Sequence, residues 1–421
     1  MTDRGDRADE PAAGGTLAGE SAAEVALTPA ARMAAYLRGG GVVVPVLTTL
    51  LAFLIGGIAV LLVGKNPIST YEAIWEGTGL QWLFPWTTGE DRELAALNLQ
   101  QTLIITTPLI LTGLAVAFAF RAGLFNIGGQ GQYIMGSIAA VWVGSEFAGM
   151  PGFLHIVLAI LAACLAGAFW AGIAGGLKAT VGANEVVSTI MLNYTAIYIG
   201  LYLFGLGGPL QNDREATLPV SNDVVEAARL PVFWGDPILQ GLHIGLFIAL
   251  IAVVVFWFLL NRSTTGYEVR AVGLNPEAAR YSGMSVPKNY VLVMAVCGLF
   301  AGLAGSLDVL GWQFRIATND IETNLLPFVG IAVALLGRNT ASGVVAAALL
   351  FGALFSGTSQ RNLDPTVFEP ELALNLTYIL QGLVVLLVSA DVLVLRLLRR
   401  GRGIFSRGPR RREPAAEEAS P

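Results

Sequence analysis

The segment that organises this chain is Arg121-Ala-Gly-Leu-Phe-Asn-Ile-Gly-Gly-Gln-Gly-Gln132, which lies between two long apolar runs. It places three amide side chains, those of Asn126, Gln130 and Gln132, beside three glycines. Glycine permits backbone bends and the close approach of helices. A broken helix is tolerated at membrane depth only where protein or a watery cavity satisfies the freed backbone groups. The segment therefore predicts either a bend that lines a translocation path or a polar turn between two packed helices.

The composition is typical of a helical membrane protein. Of the 421 residues, 54% are hydrophobic and 13% are charged, and the mean hydropathy is +0.65. Soluble proteins carry about 25% charged residues. The charges of this chain lie between long apolar runs, because an ion left in hydrocarbon costs several kcal/mol. We therefore predict an all-α, polytopic membrane protein of about ten transmembrane helices, surrounded by membrane lipid, and we reject a large soluble enzyme.

Ten apolar runs are candidate transmembrane spans, since a helix needs about 20 residues to cross the hydrocarbon. The eighth is short, so it either begins earlier or belongs to a broken or re-entrant segment, and the third is interrupted by glycines. The predicted spans are Val42–Val63, Leu94–Phe120, Phe125–Phe147, Phe153–Leu177, Val186–Leu206, Gly241–Leu260, Tyr290–Leu310, Leu325–Leu336, Gly343–Gly357 and Leu374–Leu395.

The distribution of Lys and Arg predicts the orientation. Ten spans place both termini on one side, and the segments near the spans on that side carry 17 basic residues against 6 on the other. Cytoplasmic loops are enriched in basic residues, so both termini are predicted to be cytoplasmic. The predicted organisation is a disordered tail over 1–41, a transmembrane domain over 42–395 with a cytoplasmic loop at 261–289, and an Arg-rich cytoplasmic tail over 396–421.

A second polar segment opens the fifth span: Gly182-Ala-Asn-Glu-Val-Val-Ser-Thr-Ile-Met-Leu-Asn-Tyr194. Asn184 is suited to cap the helix, and the Glu185 carboxylate suits the positive end of the helix dipole. Asn193 lies deeper, where a buried amide must find hydrogen-bond partners. It is predicted either to join two helices or to line a path.

The longest inner loop contains a predicted helix of about two turns. Asn275 is a good N-cap, Pro276 suits the first helical position, Glu277 suits the first turn, and Gly283 is a plausible C-terminal stop. A capped helix between two spans is either a rigid projection for a cytoplasmic partner or an ordinary interfacial helix.

Other functional classes find less support in the sequence. There is no G-x-x-x-x-G-K-[ST] phosphate loop, so the chain carries no P-loop ATPase site of its own, and we expect no bound cofactor and no nucleic-acid partner. A membrane enzyme would need a nucleophile–base or metal arrangement, which is not recognisable here. An ion-coupled secondary transporter usually has acidic residues near the midplane. The acidic residues nearest the spans lie near span ends: Glu146, Glu185, Asp308 and Asp391.

Four segments resemble the permease subunits of ABC importers in the branched-chain amino acid and ribose permease superfamily. The resemblance covers about Leu94 to Leu395 and is strongest to the branch associated with nucleoside uptake. That family often has Glu where this chain has Gln130. The four segments are Phe118-Ala-Phe-Arg-Ala-Gly-Leu-Phe-Asn-Ile-Gly128, Asn184-Glu-Val-Val-Ser-Thr-Ile-Met-Leu-Asn-Tyr194, Gly273-Leu-Asn-Pro-Glu-Ala-Ala279 and Gly330-Ile-Ala-Val-Ala-Leu-Leu-Gly-Arg-Asn339.

The resemblance implies a type II importer-like permease in the bacterial inner (plasma) membrane. It implies a second permease subunit, favoured to be a paralogue, a cytoplasmic ATP-binding subunit that uses the ATP, and an extracytoplasmic substrate-binding lipoprotein. The solute would be a nucleoside, with a sugar or a branched-chain amino acid as alternatives. Tyr133 and Tyr194 either stack on a base or pack structurally. We expect Asn126, Gln130, Gln132 and Asn193 to line the path, and the ATPase-coupling segment to comprise Asn275, Pro276, Glu277, Ala278, Ala279, Arg280, Tyr281, Ser282 and Gly283.

Overall fold

The computed structural model describes residues 43–62, 64–147, 149–237 and 241–359, together with 375, 378–380, 382, 383 and 386. It divides into two units, residues 1–43 and 44–421, and nearly all of the first lies outside the described residues. Both predicted tails and most of the tenth predicted span also lie outside them. The description below concerns the second unit.

The described part of the chain is mainly helical, and each of the first nine predicted spans coincides with a helix. The helices are α1 (Val43–Leu62), α2 (Pro67–Thr78), α3 (Gly89–Arg121), α4 (Gly129–Ser145), α5 (Gly152–Val181), α6 (Glu185–Phe204), α7 (Gly245–Arg262), α8 (Thr264–Leu274), α9 (Pro276–Tyr281), α10 (Val286–Asp308), α11 (Thr318–Thr323), α12 (Leu326–Leu336) and α13 (Ala341–Gly357).

Three of the predicted spans differ from the observed helices at an irregular start or an interruption. The sixth begins at Gly245 instead of Gly241, because Leu242 and His243 form a β-strand. The third span begins at Gly129 instead of Phe125, because the segment before it is irregular. The eighth span is broken into α11 and α12, which are separated by Asn324 and Leu325. Among the described residues, six helical segments are long and apolar enough to cross a membrane, and Val46–Leu62 and Ala341–Gly357 are shorter apolar helices. The number of ten crossings stays a prediction.

The core of the fold lies around α3 and α10. In the most apolar 18-residue window of α3, 83% of the residues are buried, against 22% in α6. α3 is therefore an internal helix packed against α10, α12 and α13. It contains Pro108. Because proline has no N–H, the carbonyl four residues earlier in the helix loses its usual hydrogen-bond donor. Three threonines near it, Thr106, Thr107 and Thr112, donate to carbonyls one turn earlier at 2.7–2.9 Å.

The most extensive helix contact joins α5 to α10 and depends on small residues. Gly298 and Gly302 of α10 are four residues apart, and they face Ala163 and Gly167 of α5. A Cβ added at Gly298 would overlap the carbonyl oxygen of Gly167, and one at Gly302 would overlap that of Ala163. Small residues at this spacing let two membrane helices approach until their backbones touch.

We expect the substitution Gly298→Leu to separate α5 from α10 and to lower the stability of the folded protein. Overpacking a core lowers the free energy of unfolding by about 1–3 kcal/mol or more. Here the obstructing atom belongs to the backbone, which cannot move aside by changing rotamer. The measurement is thermal unfolding in detergent. Gly172→Leu, on α5 with open space around the glycine, is the matched control and should unfold at the wild-type temperature. Equal stability of the two variants would contradict this view of the contact.

Two long connections, between α1 and α3 and between α6 and α7, are folded segments. The first contains α2 and a 3-10 turn at Leu80–Leu83. The second, after α6, contains a 3-10 turn at Glu226–Ala228 and ends in a two-stranded antiparallel pair, β1 (Val232–Trp234) and β2 (Leu242–His243). The backbone N–H groups of Val225 and Leu230 donate to the carbonyls of Gly144, in α4, and Leu310, in the π-helical turn that follows α10. These bonds hold the loop against both segments.

His243, the last residue of β2, is buried, with 1% of its surface exposed. Its Nδ1 accepts a hydrogen bond from Gly245 N–H at 3.1 Å, and its Nε2 has no partner among the described residues. Burial disfavours the charged imidazolium and lowers the pKa of His243 to about 4. The folded protein therefore holds this ring neutral.

The His243 ring should make the protein sensitive to acid. An unfolded histidine has a pKa of about 6.5, so the unfolded chain binds a proton that the folded chain does not. The stability that the neutral ring contributes is present above pH 6.5 and is lost as the pH falls toward 4. The loss is about 2 kcal/mol at pH 5. Thermal unfolding at pH 7 and pH 5 should show a larger drop for the wild type than for His243→Phe. Equal drops would contradict this assignment.

Candidate functional site

The break between α3 and α4 is held by a pair of amide side chains. Asn126 Nδ2 donates to Gln132 Oε1 at 3.1 Å, and Gln132 Nε2 donates back to Asn126 Oδ1 at 3.0 Å. Asn126 Oδ1 also accepts from the Gly128 N–H at 2.9 Å, which caps the irregular segment. Gly123, at φ +69°, adopts the left-handed conformation that the turn requires.

Asn193 fastens α6 to the same break. Its Oδ1 accepts from the Gly131 N–H at 2.8 Å, and its Nδ2 donates to the Ile127 carbonyl at 2.9 Å. The side chain therefore satisfies one backbone donor and one backbone acceptor of the broken segment. A Cβ at Gly131 would lie 3.0 Å from Asn193 Oδ1, so the glycine makes room for this approach.

Gln130 joins this break to the second one. Its Nε2 donates to the carbonyl of Asn324 at 3.3 Å, and Asn324 separates α11 from α12. Asn324 Oδ1 in turn accepts from the Leu326 N–H at 3.0 Å and so caps α12. The two irregular segments are thus connected through one side chain.

The structure brings together all four amides that the sequence predicted to line the path. We call them the amide cluster: Asn126, Gln130, Gln132 and Asn193. Each has 1–3% of its surface exposed. Their hydrogen bonds go to one another and to the backbone of the breaks, so in this conformation the cluster organises the broken helices. Contact of these amides with a solute stays a prediction.

A buried acidic residue near the amide cluster was not singled out as a site from the sequence. Asp308 ends α10 and has 3% of its surface exposed. Its Oδ2 accepts from the Tyr133 hydroxyl at 2.5 Å and its Oδ1 from Trp312 Nε1 at 3.2 Å. Trp312 lies on a π-helical turn, Val309–Gln313. Such turns often occur at functional sites, but a lone Asp at the end of an apolar run does not reveal one.

A small cavity lies between Tyr133 and the second break. Its volume is about 20 Å³, which is room for about one water molecule. Its walls combine polar and apolar side chains: Tyr133, Ile134, Ser137, Ile138, Gln313, Ile316, Asp320, Ile321 and Asn324. Within the described part of the chain, no group of three His, Cys, Asp or Glu side chains could hold a metal ion.

The loop between α7 and α10 contains the helix that the capping pattern predicts. Asn275 Oδ1 accepts from the N–H groups of Glu277 and Ala278, both at 3.0 Å, and Gly283 has φ +85° after the helix ends. α9 spans Pro276–Tyr281, slightly less than two turns. Ala279 is buried, whereas 93% of the Tyr281 side chain is exposed.

The same loop packs directly on the first break. Gly273, near the end of α8, lies so close to Gly123 that a Cβ at either glycine would press on the backbone of the other segment. A displacement of α8 and α9 therefore reaches the break between α3 and α4 without an intervening side chain. Nothing in the spacing of the sequence indicates this contact.

A broken-helix core of this kind, with amide side chains at the breaks and a capped helix in one loop, is the architecture of a membrane transport protein. The family model "Branched-chain amino acid transport system / permease component" matches residues 98–389. The chain belongs to this family and is an ABC transporter permease.

Three curated permeases resemble the chain over most of its length. The guanosine ABC transporter permease protein NupP of Bacillus subtilis is 41% identical over 77% of this chain and 87% of its own. The glucose ABC transporter permease protein TsgB13 of Haloferax volcanii is 36% identical over 80% and 84%. The nucleoside ABC transporter permease protein NupB of Lactococcus lactis is 35% identical over 75% and 83%. No solved structure matches.

The relatives come in pairs. NupQ of Bacillus subtilis, also named a guanosine permease, is 27% identical to this chain, and NupC of Lactococcus lactis, also named a nucleoside permease, is 26% identical. Each of these two organisms thus has two different permeases that match.

We expect the substitution Asn193→Ala to destabilise the break between α3 and α4. It removes two hydrogen bonds and leaves the Gly131 N–H and the Ile127 carbonyl buried without partners, which costs about 1–3 kcal/mol each. Thermal unfolding in detergent is the measurement. Thr195→Ala is the control, since Thr195 is exposed and bonds only the Met191 carbonyl of its own helix. An Asn193→Ala protein as stable as this control would refute the role of Asn193.

Proposed function

We propose that this chain is one permease subunit of an ATP-driven importer of nucleosides. The observation that carries this proposal is the 41% identity to the guanosine permease NupP over 87% of that protein. The nucleoside permease NupB supports the same solute class. A nucleoside is a neutral, polar solute, and the amide cluster offers uncharged donors and acceptors that suit a ribose or a base once the breaks open.

The proposed complex contains three further kinds of subunit. A second permease, a paralogue of this chain, pairs with it, as the paired relatives suggest. A cytoplasmic ATP-binding subunit binds and hydrolyses ATP, and an extracytoplasmic lipoprotein delivers the solute. The complex lies in the bacterial inner membrane with both termini of this chain in the cytoplasm.

In this mechanism α9 is the coupling helix that contacts the ATP-binding subunit. Glu277 and Arg280 are exposed on it, and Ala279 anchors it to the loop. The contact between Gly273 and Gly123 then carries a movement of the loop to the first break. The hydrogen bond from Gln130 to the Asn324 carbonyl then transmits the movement to the second break.

The solute is tested by uptake into cells that express the complete transporter. Labelled guanosine should accumulate, and unlabelled inosine or adenosine should compete, whereas glucose and leucine should not. Glucose is included because TsgB13, 36% identical, is named a glucose permease. Uptake should be lost when the ATP-binding subunit is inactivated and should persist with a protonophore if ATP is maintained. Competition by glucose alone, or uptake that follows the ion gradient, would overturn the proposal.

We expect the double substitution Glu277→Ala and Arg280→Ala to abolish most guanosine uptake while the permease is still made and inserted. Both side chains are exposed, so their loss removes a contact surface and leaves the internal packing of the permease unchanged. The measurement is uptake together with ATPase activity of the purified complex. Glu215→Ala with Arg315→Ala is the matched control, because it removes an exposed acid–base pair, joined at 3.2 Å, that links two segments away from α9. Normal coupled uptake in the first variant would refute the coupling role of α9.

A further inference from the structure

One face of α6 carries three tyrosines at intervals of four residues. Tyr194 is 57% exposed, Tyr198 is 68% exposed and Tyr202 is 72% exposed. Residues at this spacing lie above one another on the same side of a helix. None of the three hydroxyls has a hydrogen-bond partner among the described residues. We call this surface the tyrosine face.

The opposite side of α6 is the one that packs against the protein. The buried residues on that side are Asn193, Ala196, Gly200 and Phe204. Gly200 makes room for the Ile321 side chain of α11. The tyrosine face is therefore turned away from the core. In the described part of the chain, no other helix packs over Tyr194.

Two residues of the tyrosine face, Tyr194 and Tyr198, lie at a depth where tyrosine is out of place in lipid. At 1.5 Å per residue, the 20 residues of α6 match the roughly 30 Å hydrocarbon core. Tyr194 is about 14 Å from the start of the helix, near the midplane, and Tyr198 is about 20 Å from it. Tyrosine is enriched at the two membrane interfaces, and an unbonded hydroxyl in hydrocarbon costs free energy.

Other exposed helix surfaces of the same protein have a different composition. The exposed side chains of α5 include Leu165 and Phe169, at 69% and 73%, and those of α7 include Val254 and Phe258, at 64% and 55%. α1, α5 and α7 contain no tyrosine. These surfaces suit lipid tails, so the contrast marks the tyrosine face as one that meets polar surroundings.

We propose that the tyrosine face lines the solute path, and that its rings stack on the planar base of the nucleoside. This rests on the proposed function. Aromatic side chains bind nucleobases through stacking that tolerates any base, and each phenol hydroxyl both donates and accepts a hydrogen bond. None of the side chains of the tyrosine face is charged, which suits a neutral solute. Asn193, adjacent to Tyr194, holds the helix in place through the first break.

Water access to this face is tested with single cysteines in the complete transporter. Tyr194→Cys and Tyr198→Cys should react with a charged, membrane-impermeant methanethiosulfonate reagent in cells. Val254→Cys is the control, since Val254 is as exposed and lies equally near the middle of its helix. The native Cys164 and Cys297 are buried, so the background should be low. Reaction of the tyrosine positions no faster than that of Val254→Cys would overturn the proposal.

Base stacking is tested by protection and by paired substitutions. Guanosine should slow the labelling of Tyr198→Cys, and ribose should not. Tyr198→Leu should raise the KM for guanosine uptake roughly tenfold, whereas Tyr198→Phe, which keeps the ring, should stay near the wild-type value. Fast labelling without guanosine protection, in a transporter that imports guanosine, would overturn the stacking role. A wild-type transporter that imports no nucleoside would instead overturn the proposed function, and the labelling comparison would still decide whether the face meets water.

Discussion

The structure depends on one constraint: where helices are interrupted inside a packed core, the freed backbone groups must be bonded by protein. At the first break, Asn193 supplies both a donor and an acceptor, at 2.9 and 2.8 Å, and Asn126 caps Gly128. At the second break, Asn324 caps Leu326. These short side chains replace the hydrogen bonds that a continuous helix would have made, so irregular backbone persists in the packed interior.

Direct contacts also connect the two breaks to each other and to a neighbouring loop. Gln130 links the first break to the second, and the close approach of Gly123 and Gly273 links the first break to the loop that contains α9. The Gln130 amide donates to the Asn324 carbonyl, so one side chain of the first break also satisfies a backbone acceptor of the second.

Much of the fold follows from local sequence rules. Apolar runs of about 20 residues predict the helices because hydrocarbon leaves a chain few alternatives. Asn184 and Asn275 were predicted as N-caps, and both accept the expected backbone N–H groups. The short eighth run was predicted to be broken or extended, and the Asn324–Leu325 interruption agrees with the first of these. The structure of the two long connections, between α1 and α3 and between α6 and α7, was not predicted, since its hydrogen bonds join residues far apart in the chain.

The sequence by itself determined the class of protein, the helices and the amide residues at the first break, because hydropathy and capping act over a few residues. Only the tertiary structure decided what those residues contact. It turned Asn193 toward the break and its neighbour Tyr194 outward. The sequence had left both a structural role and a solute-binding role open for each of them. It also brought Asp308 to Tyr133 and Gly273 to Gly123. The reason is that helix rotation and helix contact are set by packing between distant segments, which no local pattern records.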